Sequence, residues 1–257
     1  MNRSSRRPEK ALGSIASAIL CAVTTPTTAP DRKTIDIGRA LSFVLEDPDW
    51  IKKLLIGSLV SLAVFLLIGI PLLVGYYQRV IQRTARGERY PLPDWDDWGG
   101  LFVDGLKAWA LVMAHVAILM VPVGAAGCVV GLLGGSLEHL SSGVQQGAGV
   151  LMVLAMLAFY AVMFLGGIAL FLYAPAAQTR LALTGSLAEA FNTKANLAFI
   201  RRNLANYGLS LVVMLLTNTL SQFGILLCCV GILPASVWAY ACFCWALGET
   251  ARRDSAI

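Results

Sequence analysis

Four stretches of this chain, residues 54–77, 108–134, 149–173 and 207–248, contain no Asp, Glu, Lys or Arg. Each exceeds the roughly 18 apolar residues that mark a helix able to cross a bilayer. The last would be roughly 60 Å long as one helix, about twice the hydrocarbon thickness. It is therefore predicted to be a hairpin, turning between residues 229 and 234. The second, counted as a helix over 101–135, would be roughly 50 Å long. It must tilt, kink at Pro122, or project from the bilayer. The first is interrupted at Gly69-Ile70-Pro71, and either spans or re-enters. Length alone favours an unbroken span. The predicted fold is all-α: a polytopic transmembrane helical bundle with about five membrane segments. Composition agrees, because 14% charged residues and a mean hydropathy of +0.71 are far from the quarter charged residues of soluble domains.

Two amphipathic helices are predicted beside these runs, both interfacial. Over 36–47, Ile37, Ala40, Leu41, Val44 and Leu45 recur at helical spacing, with Phe43 an exception on the polar side. Over 186–203, Ser186 and Glu189 fit a capping box, and Lys194, Arg201 and Arg202 make the segment basic. The two share a faint echo: Phe43, Asp47 and Trp50 against Phe199, Asn203 and Tyr207. Residues 1–34 are predicted to be a disordered N-terminal extension, with a cleaved signal segment as the alternative reading. Residues 35–250 form the integral membrane domain and 251–257 a short cytoplasmic tail. Of the six cysteines, Cys128, Cys228, Cys229, Cys242 and Cys244 lie in apolar runs and read as small buried hydrophobes, and Cys21 lies in the extension.

Residues 92–107 are the densest run of acids, aromatics and turn formers. Trp95 and Trp98, three apart, are predicted to share a helix face and anchor it at headgroup level, as Trp50 does earlier. Asp104 and Lys107 are placed to pair. The basic segments 78–107 and 178–202 and the C-terminus are expected on the cytoplasmic side of a cell membrane, because cytoplasmic loops carry the excess Lys and Arg. Residues 135–147 and 229–234, with none, go to the other side. Both flanks of 54–77 are basic, which leaves the side of the N-terminus open.

The candidate intramembrane polar site is His115 with Asn218 and Gln222. His115 lies deep in the second run, where an ionisable residue is a functional hypothesis. The plainer reading is a neutral imidazole bonded to a carbonyl. Asn218 and Gln222 share a helix face within a polar patch that also holds Thr217, Thr219 and Ser221, and glue between helices is the competing role. Gly127, Gly131 and Gly135 recur every fourth position, a face for close helix contact. Asp94, Asp96 and Asp97 lack the spacing of a calcium loop. Glu138 and His139 are a weak metal pair. No Walker loop, Gly-x-Ser-x-Gly or His-Glu-x-x-His occurs. The expectation is therefore no enzyme, no cofactor and no resident metal. Without a basic patch interleaved with aromatics, no nucleic-acid partner is expected either. The expected partners are the lipid bilayer and a membrane protein or a second copy of the chain.

The segments DIGRALSF at 36–43, EDPDWIKKLLIG at 46–57, GYYQRV at 75–80, LPDWDDW at 92–98 and LFVDGLK at 101–107 resemble the prokaryotic membrane family known as domain of unknown function 4013. The resemblance extends over about residues 35 to 250. It implies a membrane protein and supplies no substrate. The expected function is a non-enzymatic scaffold or accessory membrane component. The alternative is a small transporter or channel using the region of His115 and Asn218.

Overall fold

A computed structural model describes residues 34–136, 142–226 and 231–254. Residues 1–33 of the expected extension with Cys21, and Cys228, Cys229, Glu138, His139 and the start of the 229–234 turn, lie outside the described residues. Among the described residues every regular element is helical. In chain order these are α1 (Ile37–Glu46), α2 (Trp50–Leu62), α3 (Gly69–Ala85), α4 (Trp98–Ser136), α5 (Ser142–Thr184), α6 (Leu187–Ala190), α7 (Thr193–Arg202), α8 (Leu204–Gln222) and α9 (Ile232–Arg252). Short 3-10 turns follow α2 and α8.

The first apolar run is not an unbroken span. Helix α2 passes into a 3-10 turn, and Leu67 adopts the left-handed conformation at φ 62° before α3 begins. Thirteen residues of α2 reach only about 20 Å, too short for a bilayer core. The run is a hairpin, and it returns its two basic flanks to the same place. Lys53 Nζ and Arg83 Nη1 both donate to the Leu92 carbonyl, at 3.0 and 2.8 Å. Among the described residues four helical segments are long and apolar enough to cross a membrane: Trp98–Val129, Gly149–Thr184, Leu204–Leu226 and Ile232–Arg252.

The core is built around α9. Its residues 241–251 are all buried, and α1, α2, α3 and α8 pack around it. Thr217 Oγ1 reaches the Ala239 carbonyl at 3.2 Å, and Ser210 and Thr250 hydroxyls meet at 3.0 Å, so polar atoms join α8 to α9. Phe43, expected on the polar side of α1, stacks on Trp245 with centroids 5.6 Å apart. Its position three residues after buried Ala40 places it on the same helix face, and Leu45 is the residue left exposed. Helix α1 therefore packs one face into the bundle. Asp36 caps its start by accepting from the Arg39 amide.

Helices α3 and α4 cross in backbone contact. A Cβ on Gly105 would fall 1.6 Å from the Pro71 carbonyl oxygen, and one on Gly75 would fall 1.9 Å from that of Leu101. Only glycine fits at this crossing. The predicted glycine face on α4 does not play this part. A Cβ on Gly131 would meet nothing within 4 Å, and one on Gly127 only the Phe159 ring.

Helix α4 has 39 residues and α5 has 43, roughly 58 and 65 Å. Both run through a proline, Pro122 and Pro175, so α5 does not end near Tyr173 as its sequence suggests. Their ends near residues 101–111 and 176–182 are in the core, whereas their outer parts form a two-helix arm, exposed to the surroundings along both helices. The C-terminal end is firmer than the tail expected from residue 251. Helix α9 continues to Arg252, and buried Asp254 accepts from Arg202 at 2.9 Å and Asn203 at 3.0 Å.

Candidate functional site

Between the base of the arm and helices α7 and α8 lies a groove of about 870 Å³. That is within the range of about 300–1,000 Å³ typical of ligand sites. Apolar side chains such as Leu119, Leu170, Leu197 and Leu211 make most of its wall. Three rings give it a polar edge. His115 stacks on Phe191 with centroids 5.1 Å apart and planes 14° apart, and tilts against Tyr173 at 5.3 Å. Tyr173 Oη accepts from Asn196 Nδ2 at 2.7 Å, and Tyr207 Oη donates to the Leu172 carbonyl at 2.7 Å. These two bonds fasten α7 and α8 to α5.

The residues that hold this geometry follow from local sequence. Ser186 caps α6 by accepting from the Glu189 amide. The second half of the expected capping box is absent: the Glu189 carboxylate turns to Arg180 at 2.7 Å, and the Ser186 amide donates to Thr184. Asn192 restarts the chain as α7 by accepting from the Ala195 amide. The single amphipathic helix predicted over 186–203 is thus two pieces, and Phe191 at their joint reaches His115. On α7, Thr193, Leu197 and Ile200 form one stripe at spacing i, i+4, i+7, continued by Leu204, and this stripe lines the groove.

His115 is the member of the predicted polar site that lines the groove. Its Nδ1 sits 2.7 Å from the Leu111 carbonyl, the kind of backbone contact named in the plainer of the two readings. Asn218 and Gln222 are not brought to it. The α8 residues on the groove are Leu204, Tyr207, Gly208 and Leu211, and Asn218 lies about 10 Å further along the axis than Leu211. Asn218 donates to the Met214 carbonyl of its own helix, and Gln222 is exposed. Tyr173, Phe191 and Gly208 were not legible as site residues, because an aromatic or glycine in an apolar run looks like packing until its neighbours are known.

The second polar feature is the strap formed by residues 86–97 with the start of α4. Asp94 lies 3.1 Å from Lys53 Nζ, and Arg79 bonds Asp97 at 2.7 Å and Asp104 at 3.3 Å. Asp104 therefore pairs with Arg79 of α3, not with Lys107. The Arg79 hydrogen bond, helped by the Gly100 amide, holds the Asp97 carboxyl below the usual carboxylate range. Trp95 precedes the helix and is 8% exposed. Its ring stacks on Tyr76 at 4.4 Å, and its Nε1 donates to the Lys53 carbonyl at 3.0 Å. It plugs the core and, contrary to expectation, does not present a face to headgroups. Trp98 is 44% exposed, and Trp50 is half-buried against the core.

The ion pairs gather the charged ends of the helices together. Arg83 reaches the strap, Arg252 Cδ lies 3.6 Å from where a Gly87 Cβ would be, and Arg202 bonds Asp254. No curated protein and no solved structure matches this chain. A family model described as "Protein of unknown function (DUF4013)" matches residues 58–230. The match takes in the segments at 75–80, 92–98 and 101–107, and begins just after those at 36–43 and 46–57. It spans about two thirds of the chain, and the apolar helices fit a membrane protein. The chain belongs to the DUF4013 family.

Proposed function

We propose that this protein is a non-enzymatic component of a prokaryotic cell membrane, a scaffold or accessory subunit for another membrane protein or a second copy of itself. The observation that carries this reading is the α4–α5 arm. Val121, Leu132, Leu151, Leu157 and Phe164 lie on it, and each is more than half exposed. Lipid alone can cover such a surface, yet an arm with both helices open along their length also offers a large area for lateral contact. The His115 ring is engaged by its own helix and by Phe191, which favours packing over a proton relay. The gathered basic ends fit a cytoplasmic placement by the positive-inside rule.

Affinity purification of the full chain in mild detergent tests the reading. A membrane protein recovered in fixed ratio, and lost when Leu151, Leu157 and Phe164 are replaced by alanine, is the expected result. If nothing co-purifies and reconstituted vesicles pass a solute, the transporter alternative replaces it.

A further inference from the structure

Beside the groove at His115 lie two basic side chains without an acidic partner among the described residues. Helix α7 divides into three faces. Asn196 and Phe199 are buried in the body, and Thr193, Leu197 and Ile200 line the groove. Lys194 and Arg201, seven residues apart, share a third face roughly 80° beyond the groove stripe, on the side away from the core. Both are exposed, and neither has an acidic partner among the described residues. The neighbouring charges are already neutralised: Arg180 pairs with Glu189, and Arg202 with Asp254. An apolar slot thus adjoins two cations on a helix at the charged end of the molecule.

We infer that this groove is a binding site for an anionic phospholipid, with an acyl chain along Leu119, Leu170 and Leu211 and the phosphate headgroup beside Lys194 and Arg201. The chemistry is that of a basic amphipathic helix at an anionic leaflet, where each nearby Lys or Arg favours the charged lipid. Two cations beside a hydrocarbon slot, without acidic partners among the described residues, complement a ligand with one negative head and an apolar body. The inference rests on the membrane reading above, and is independent of whether a protein partner exists.

The test is lipid retention by the full chain after incorporation into nanodiscs of equal phosphatidylglycerol and phosphatidylcholine, read by mass spectrometry of the released protein–lipid complex. Wild type is expected to retain one phosphatidylglycerol with a preference of about thirtyfold, as two basic residues near an anionic head would give. Lys194→Gln with Arg201→Gln, at exposed positions, should erase the preference. Gly208→Phe should abolish retention of either lipid, because a side chain there grows into open groove: its Cβ meets nothing within 4 Å. Equal retention of both lipids by wild type, as for boundary lipid only, overturns the inference. So does a preference unchanged in the double variant, or retention unchanged in Gly208→Phe. Co-purification of a protein partner is read separately, so failure here leaves the scaffold reading standing.

Discussion

The Lys53 ammonium lies 2.8 Å from the Asp47 carboxylate, and both side chains are closed off from solvent. The same nitrogen donates to the Leu92 carbonyl and sits 3.1 Å from Asp94. One lysine on α2 therefore joins the end of α1 to the strap. Lys53→Met would leave the Asp47 carboxylate buried without its cation. Stability should fall by about 3–5 kcal/mol, measured by thermal unfolding in detergent. Lys53→Met combined with Asp47→Leu should recover most of the loss, since the uncompensated charge is then gone. A single variant that melts with wild type would refute this account of the joint.

The α3–α4 crossing makes a sharper distinction between glycines. Gly105→Ala forces a methyl into the Pro71 carbonyl and should cost at least about 1–3 kcal/mol, with loss of a monodisperse peak in size-exclusion chromatography. Gly131→Ala, whose methyl meets nothing, should leave the protein as stable as wild type or slightly more so. Equal behaviour of the two variants would show that the crossing is looser than its geometry requires.

The strap has a pH dependence with a defined sign. The Asp97 carboxyl is held below its ordinary value by Arg79, so the folded form binds its proton less readily than the unfolded form. The stabilisation is present above the unfolded value of about 3.9 and is lost as pH falls through the lower folded value. Amide protection over residues 92–98, corrected for the intrinsic pH dependence of exchange, should therefore show no change from this pair between neutral pH and about 4, and a loss below it. Asp97→Asn should remove that acid-dependent part. An exchange transition centred near neutral pH would have to come from elsewhere.

His115 offers a test of packing against proton chemistry. His115→Phe keeps a ring against Phe191 and Tyr173, and should change stability by less than about 1.5 kcal/mol, as volume-conserving core exchanges do. His115→Ala should cost more, because it empties the stack. If His115→Phe instead abolishes a solute flux in vesicles while stability is kept, the ring has a chemical role.

Asp254 closes the body near the end of the described chain. Asp254→Ala removes the shared acceptor of Arg202 and Asn203 at the α7–α8 junction. A loss of about 1–3 kcal/mol is expected, with protease sensitivity rising near residue 203. Unchanged proteolysis would place the junction's strength in α7 packing alone.

Membrane character was legible because absence of charge over about 20 residues is a property of composition and needs no partner. The division of the last apolar run into α8 and α9 was legible from length alone. The break in the first run was half legible: Gly69-Ile70-Pro71 marked an interruption, but its length favoured a span, and the packing against α9 and the strap that decides for a hairpin is tertiary. Trp95 looked like an anchor because its spacing to Trp98 suits a helix, but Trp98 starts α4 only after Trp95 has turned inward onto Tyr76. The small faces divided for the same reason. Gly127 and Gly131 repeat, yet one meets only the Phe159 ring and the other nothing, while Gly75 and Gly105 repeat nothing and carry the crossing. His115 was found by its rarity in an apolar run. Its neighbours Tyr173 and Phe191 come from residues 58 and 76 positions away, a distance that no local pattern spans.

The central place of α9 also governs the order in which the molecule can assemble. A ribosome releases α1, α2 and α3 long before it makes the helix that covers them. Until residues 241–251 arrive, Phe43 lacks its Trp245 and the inner faces of three helices have no lasting neighbour. The core cannot close before α9 has been made. A chain stalled before or within α9 would display an unfinished interior to quality-control proteases, so the fold carries its own check that this helix has been made.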